Sequence, residues 1–221
     1  ALVSVSVLPE VDKLFGRPQN YTLEQLTGIA RINADPSMLV VRADAPWKTL
    51  KDLVEDAKKR PGEIIYVSTG PYGPTHLPAE MLMERTGIKL RHLPTTGGAP
   101  AITMLLSGGG HLFFAIPALG AQHVAAGSFK ALAVTSEKPM PQYPGAPTMK
   151  SLGIDMAYTA WGAAFAPKGV PAPILKTLDE ALAKAAADPA VQAAFAKGNV
   201  PLTYLNTKDF TKWWDEETGR L

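Results

Sequence analysis

Cysteine is absent from the 221 residues, which excludes a disulfide framework, a thiol nucleophile and a zinc–thiolate site. The redox compartment is therefore not readable from thiols, because periplasmic proteins also do without them. A dominant charge is missing too. The 22 basic residues stand against 20 acidic ones, a net +2. That balance is too even to advertise a nucleic-acid backbone as partner, despite a nominal pI of 8.7. Long hydrophobic runs are lacking: Leu112 to Ala121 is about half of what a bilayer span needs and contains Pro117. The start, Ala1-Leu-Val-Ser-Val-Ser-Val7, has no basic n-region and no initiator methionine, unlike a signal peptide. It reads as a buried strand entered abruptly, with sequence expected ahead of it. Repeats are absent, and composition is biased only in an alanine-rich stretch near the C-terminus.

What is present is an ordinary folded-protein mixture, 46% apolar and 19% charged, in a chain long enough for one large domain or two lobes. Glycine (19) and proline (20) are abundant, roughly one and a half times average usage, so sharp turns between short elements are expected. Met38 to Val41 is a continuous apolar run suited to a strand covered on both faces. Thr49-Leu-Lys-Asp52 predicts a capping box opening a helix that Pro61-Gly62 stops. Strands are expected at Ile64–Val67, Leu90–Leu93, Leu112–Ala115 and Ala131–Thr135, and helices at Thr75–Arg85, Pro100–Leu106 and Pro117–Ala126. Such alternation predicts an α/β lobe with right-handed crossovers and a mainly parallel sheet. Beyond a Pro-rich loop come a strand at Trp161–Ala166 and a helix at Pro171–Ala187 with Ile174, Leu175, Leu178 and Leu182 as its stripe. Asp188-Pro189 restarts the helix, and a last amphipathic helix holds Phe210, Trp213 and Trp214.

Catalytic signatures are not found: there is no G-x-S-x-G elbow, no Walker loop and no G-x-G-x-x-G. The histidines His76, His92, His111 and His123 are too scattered for an i,i+4 metal pair and are expected to be structural, so no metal and no cofactor are expected. Glu80 with Glu84 reads most simply as one solvated helix face. What stands out is the punctuation after three successive strands: Ser68-Thr-Gly-Pro-Tyr-Gly-Pro-Thr-His76, Pro94-Thr-Thr-Gly-Gly-Ala-Pro100 and Ala115-Ile-Pro117. In a parallel sheet such turns lie side by side at the carboxyl ends of the strands, where open α/β folds bind ligands. Each delivers a helix N-terminus with unpaired N–H groups and a partial positive charge. Converging termini, at the helices after Gly73 and Gly98 above all, form an anion site that needs no arginine. Turn chemistry alone explains any one of these segments; three in register favour a site for phosphate or carboxylate.

These residues also carry a family likeness. Tyr66-Val-Ser-Thr-Gly70 with Pro74-Thr-His76, then His92-Leu-Pro-Thr-Thr-Gly-Gly-Ala-Pro-Ala101, resemble the Bug receptors, the substrate-binding receptors of tripartite tricarboxylate transporters. So do Phe129 to Ser136, Pro147-Thr148 and Trp161 to Pro167, and the likeness runs in order along essentially the whole chain. It implies a two-lobed, type II periplasmic-binding-protein-like α/β fold that closes over a small mono- or dicarboxylate and hands it to membrane transporter subunits. Chain crossovers would fall near Val40 and Trp161, making 35–160 a complete ligand-binding lobe and 1–34 with 161–221 the incomplete remainder of the other. The resemblance places Ser68, Thr69, Gly70, Thr75 and His76 in a first ligand loop that includes Gly73. Thr96, Gly97, Gly98 and Ala99 fall in a second, and Ala115 ends the fourth strand.

Departures from the family pattern are specific. Tyr72-Gly73 stands where Gly-Ser is usual, and Thr95-Thr96 where Tyr-Lys is usual. Ala115 replaces a frequent aspartate that would pair with a ligand amine, and His111 replaces the aspartate that opens that strand. Rival readings are the ligand-sensing effector domain of a regulator, disfavoured by the lack of a helix-turn-helix or basic segment, and an α/β enzyme, disfavoured by the lack of a nucleophile–base pair.

Overall fold

A computed structural model describes residues 3–4, 16, 18, 21–140, 143 and 145–218 of the chain. The predicted opening strand is described only as β1 (Val3–Ser4); the rest of Ala1–Val7 lies outside the described residues. Then come β2 (Leu26–Pro36), β3 (Met38–Arg42), α1 (Leu50–Lys59), β4 (Ile65–Ser68), α2 (Leu77–Thr86), β5 (Arg91–Pro94) and α3 (Gly98–Leu106). The order continues with β6 (Leu112–Ala115), α4 (Pro117–Ala125), β7 (Phe129–Val134), β8 (Thr159–Pro167), α5 (Ala172–Ala187), α6 (Pro189–Lys197), β9 (Leu202–Leu205) and α7 (Thr207–Thr218). Among the described residues no helix is long and apolar enough to cross a membrane. Contacts divide the chain into two units, Ala1–Asp35 with Trp161–Leu221, and Pro36–Ala160.

Local sequence explains most of the larger unit. Thr49 Oγ1 accepts from Asp52 N at 3.2 Å while Asp52 accepts from Thr49 N at 2.9 Å, the predicted reciprocal cap of α1. The apolar run of β3 alternates between faces. Leu39 and Val41 pack with Tyr66, Phe114 and α1 residues Leu50, Leu53 and Ala57. Met38 and Val40 pack with Val67, Phe113 and α3 residues Ala101 and Leu105. Helices thus cover both faces, as an uninterrupted apolar strand requires.

The sheet order is β5-β4-β6-β3-β7. Pairings β4–β5 and β4–β6 are parallel, whereas β3 is antiparallel to both β6 and β7. Four strands therefore share one direction, as expected, and β3 runs against them. The reason is where the chain enters: Met38 lies opposite Ala115 and Val134, at the carboxyl ends of β6 and β7, so β3 has to run backward across the sheet.

The smaller unit has the order β1-β8-β2-β9, with β1–β8 and β2–β9 antiparallel, so parallel pairing does not extend to those two ladders. Phe210 of α7 is fully buried with Trp161 and Phe165, and Trp213 and Trp214 pack around them. Leu175, Leu178 and Leu182 of α5 pack on Ile29, Ala164 and Ala166. Ile174, expected in that stripe, is instead 51% exposed, because it sits a helical step to the side of the row the other three form. Asp188 caps α6 by accepting from Ala190 N at 2.7 Å.

Candidate functional site

Parallel pairing of β4 with both β5 and β6 sets Ser68, Pro94 and Ala115 side by side at the carboxyl ends of the strands. The three glycine- and proline-rich turns follow directly, and glycines lie where neighbouring turns approach. A Cβ on Gly70 would sit 3.8 Å from Thr95 O, and one on Gly98 only 2.5 Å from Leu119 Cδ2 in the first turn of α4. The second turn is also stapled to the first: Thr95 donates from N at 2.9 Å and from Oγ1 at 2.8 Å to Ser68 O.

The first turn ties several of its polar groups to itself. Thr75 Oγ1 is 2.9 Å from both Thr69 N and Thr69 Oγ1, and His76 Nδ1 accepts from Tyr72 N at 3.1 Å. The helix expected at Thr75 begins at Leu77. His76 N and Leu77 N both donate to Gly73 O, and Pro78 has no N–H. At the helix after Gly73, where an anion was expected, His76 N and Leu77 N are closed by the turn itself, whereas Gly73 N and Thr75 N have no acceptor among the described residues. Ser68 is fully buried, and its Oγ meets Gly70 O at 3.0 Å, Gly70 N at 3.2 Å and His92 Nε2 at 2.7 Å. It shapes the turn and offers no atom to a ligand. Ala115 is fully buried as well, its Cβ lying against Gly120.

The second turn keeps a longer, uninterrupted run of free donors. Thr96, Gly97, Gly98 and Ala99 present four consecutive backbone N–H groups with no acceptor among the described residues. Gly98 and Ala99 open α3, whose dipole adds partial positive charge there. Gly97 caps it at φ +122°, a backbone region that L side chains rarely adopt. In the third turn Leu119 N and Gly120 N both donate to Ile116 O and Pro117 has no N–H, leaving the Ala118 amide unpaired among the described residues. Unpaired backbone N–H groups at a helix start suit an anion without a fixed cation.

Glu80, Tyr66 and His92 meet here, a contact the sequence reading did not foresee. Glu80, expected on a solvated face, accepts from the Tyr66 hydroxyl and lies 3.2 Å from His76 Nε2. His92 stacks on Tyr66 with ring centroids 4.7 Å apart and packs tilted against His76 at 4.2 Å. The i,i+4 spacing of His76 and Glu80 was a usable signal. The approach of His92 to Ser68 was not, because it depends on β4–β5 register, in which Tyr66 lies opposite His92. Burial holds both imidazoles below the ordinary histidine range, and the neighbouring His76 charge lowers His92 further. Burial and the Glu80 carboxylate push the Tyr66 phenol up.

Elsewhere His111 Nδ1 accepts from Ile65 N at 2.8 Å, and His123 packs on Phe129 with ring centroids 4.8 Å apart. A cavity of about 700 Å³ between the start of α1 and the Pro-rich loop, lined by residues such as Leu50, Met140 and Tyr143, includes no residue of the three turns.

Comparison with known proteins shows the family and the fold. A sequence profile of the family described as "Tripartite tricarboxylate transporter family receptor" matches residues 2–221. The chain is 31% identical to the "UPF0065 protein in gbd 5'region" of Cupriavidus necator over 94% of its own length and 69% of the relative's. It is 31% identical to Protein BugT of Bordetella pertussis, over 86% of this chain but 58% of that one. A crystal structure of a TctC solute binding protein from Polaromonas superposes with a TM-score of 0.79 at 30% identity, covering 95% of this chain and 71% of that one. The chain thus spans roughly three fifths to seven tenths of the length of these relatives.

Proposed function

Because the chain belongs to the tripartite tricarboxylate transporter receptor family, we propose that residues 36–160 form a ligand-binding lobe that captures a small organic carboxylate on the Thr96–Ala99 amides. The captured solute is delivered to membrane transporter subunits from the periplasm, and no bond is made or broken in it. The observation that carries this reading is the run of four unpaired amides at the start of α3, set beside two further turns at the carboxyl ends of the strands. A non-catalytic role is supported by the burial of Ser68. Its hydroxyl lies within reach of a histidine, as a nucleophile would, but is sealed from substrate and also engaged by Gly70. Ala115 offers no carboxylate to a ligand ammonium, so plain carboxylates are favoured over amino acids.

The test is isothermal calorimetry with acetate, succinate, glutarate, aspartate and glutamate, on the chain and on Ala99→Pro. Ala99 occupies the second position of α3, where the N–H serves no internal bond and proline is tolerated. The variant should fold normally by circular dichroism and bind carboxylate roughly tenfold more weakly, the effect of one charge-assisted hydrogen bond. Preference for aspartate over succinate, or unchanged affinity in folded Ala99→Pro, would reject the reading.

A further inference from the structure

We infer that His92 is the positioning residue of the carboxylate site: its Nε2–H, donated to buried Ser68, fixes the Gly70 turn against which the amide-bearing turn is stapled. This inference rests on the proposed function for its link to ligand, though not for its geometry. Ser68 Oγ has one proton and three close partners, Gly70 O, Gly70 N and His92 Nε2. Gly70 O can only accept, so all three contacts are served only when Ser68 donates to Gly70 O and His92 donates from Nε2. Were the serine proton given to the histidine instead, the Gly70 carbonyl would lose its donor and the turn its closure. Gly70 stands at φ +148°, a region open to glycine, whose backbone freedom the closure restricts to one state.

From there the constraint passes to the neighbouring turn. The carbonyl of Ser68 accepts both Thr95 N and Thr95 Oγ1, and Thr95 Oγ1 also lies 3.0 Å from Gly97 O. Thr95 directly precedes the four unpaired amides, so a displaced Ser68 displaces their first anchor. His76 accepts at Nδ1 from Tyr72 N, so its proton sits on Nε2, toward Glu80. Burial keeps His92 neutral at neutral pH, so it has a single N–H to place and its tautomer decides whether Ser68 is held.

Two substitutions separate the hydrogen bond from the stack. His92→Phe keeps a ring against Tyr66 and His76 but removes the donor; His92→Gln removes the ring and keeps an N–H at similar reach. Nitrogen-15 NMR of the wild-type chain should find His92 protonated at Nε2 and bare at Nδ1. Hydrogen exchange of the Gly70 and Thr95 amides should quicken about tenfold in His92→Phe and return to within about threefold of wild type in His92→Gln, as expected for loss and recovery of one hydrogen bond. Succinate titration should follow the same order. An Nδ1–H tautomer, or slower exchange in the phenylalanine variant than in the glutamine variant, would overturn the inference, whichever variant folds better. If succinate and the other carboxylates fail to bind the wild type, the proposed function falls, while the tautomer and the amide exchange still decide the role of His92.

Discussion

Replacing Gly97 by alanine tests the site at its most constrained backbone position. Gly97 has φ +122° and ψ −174°, and nothing lies within 4 Å of where a Cβ would be placed. Alanine therefore meets no clash there and gains no packing, and the effect is purely conformational. Holding an L-residue in this region costs about 1–3 kcal/mol. The stiffer unfolded chain of alanine returns about 0.4–1 kcal/mol. The net expectation is a loss of about 1–2 kcal/mol, read as a lower urea midpoint at unchanged slope. The chain can escape part of that strain by rotating the peptides on either side, but those peptides carry the amides of Gly97 and Gly98. Relief of strain then appears as lost carboxylate affinity. Urea unfolding and calorimetry must be run on the same preparations, with Thr96→Ala as control, since it alters an exposed side chain and leaves every amide in place. Stability and affinity both unchanged in Gly97→Ala would refute the reasoning.

Two further predictions follow from single contacts. Gly98→Ala should destabilise on its own, because the new Cβ falls 2.5 Å from Leu119 Cδ2; in a Leu119→Ala background it should become stabilising by up to about 1 kcal/mol, the helix preference of alanine over glycine. Denaturation of the four members of this cycle reads the coupling, and additive effects would show that α3 and α4 do not press on each other there. Asp35 is 6% exposed, its Oδ1 has no partner among the described residues, and burial raises its pKa from 3.8 to about 6 against a lowering bond from Asn33. Between those values the unfolded chain has lost the proton that the folded one keeps, so stability falls as pH rises from about 4 to 6 and the penalty is complete above that. Asp35→Asn should therefore stabilise at pH 7, by at most about 3 kcal/mol, and do little at pH 3.5; equal effects at both pH values would sink this account.

Legibility in the sequence followed how local each determinant is. The capping box at Thr49, the Asp188-Pro189 restart and the uninterrupted apolar β3 depend on neighbours a few residues away, and each formed where expected. β2 escaped because Gly28, Asn33 and Asp35 are poor strand formers. Gly28 is required there by a distant residue, since a Cβ would lie 2.7 Å from the Phe210 ring. β9 is only four residues long and follows Pro201. The reversed direction of β3 depends on where the chain enters the sheet, which no local pattern encodes. At the site, the choice of the three turns was legible from glycine, proline and hydroxyl residues. Which amides stay unpaired was not, because that turns on Gly73 O capturing two N–H groups and on Pro78 lacking one.

The departures from the family pattern gain a physical sense from this division of labour. Thr95, where tyrosine is usual, places one hydroxyl between Ser68 O and Gly97 O, a task no phenol could perform at that distance from its backbone. Tyr72, where glycine is usual, stands at φ +63°, a conformation glycine adopts freely and tyrosine holds only at a cost. That position is retained by the Tyr72 N bond to His76 and by the ring edge set against the same imidazole at 5.5 Å. In both turns polar side chains hold backbone, which under the proposed function leaves the Thr96–Ala99 amides to hold the ligand. A site built this way tolerates change in side-chain identity so long as the supports persist. Specificity must then come from the shape and charge of the solute facing a fixed array of N–H groups, not from a dedicated cation.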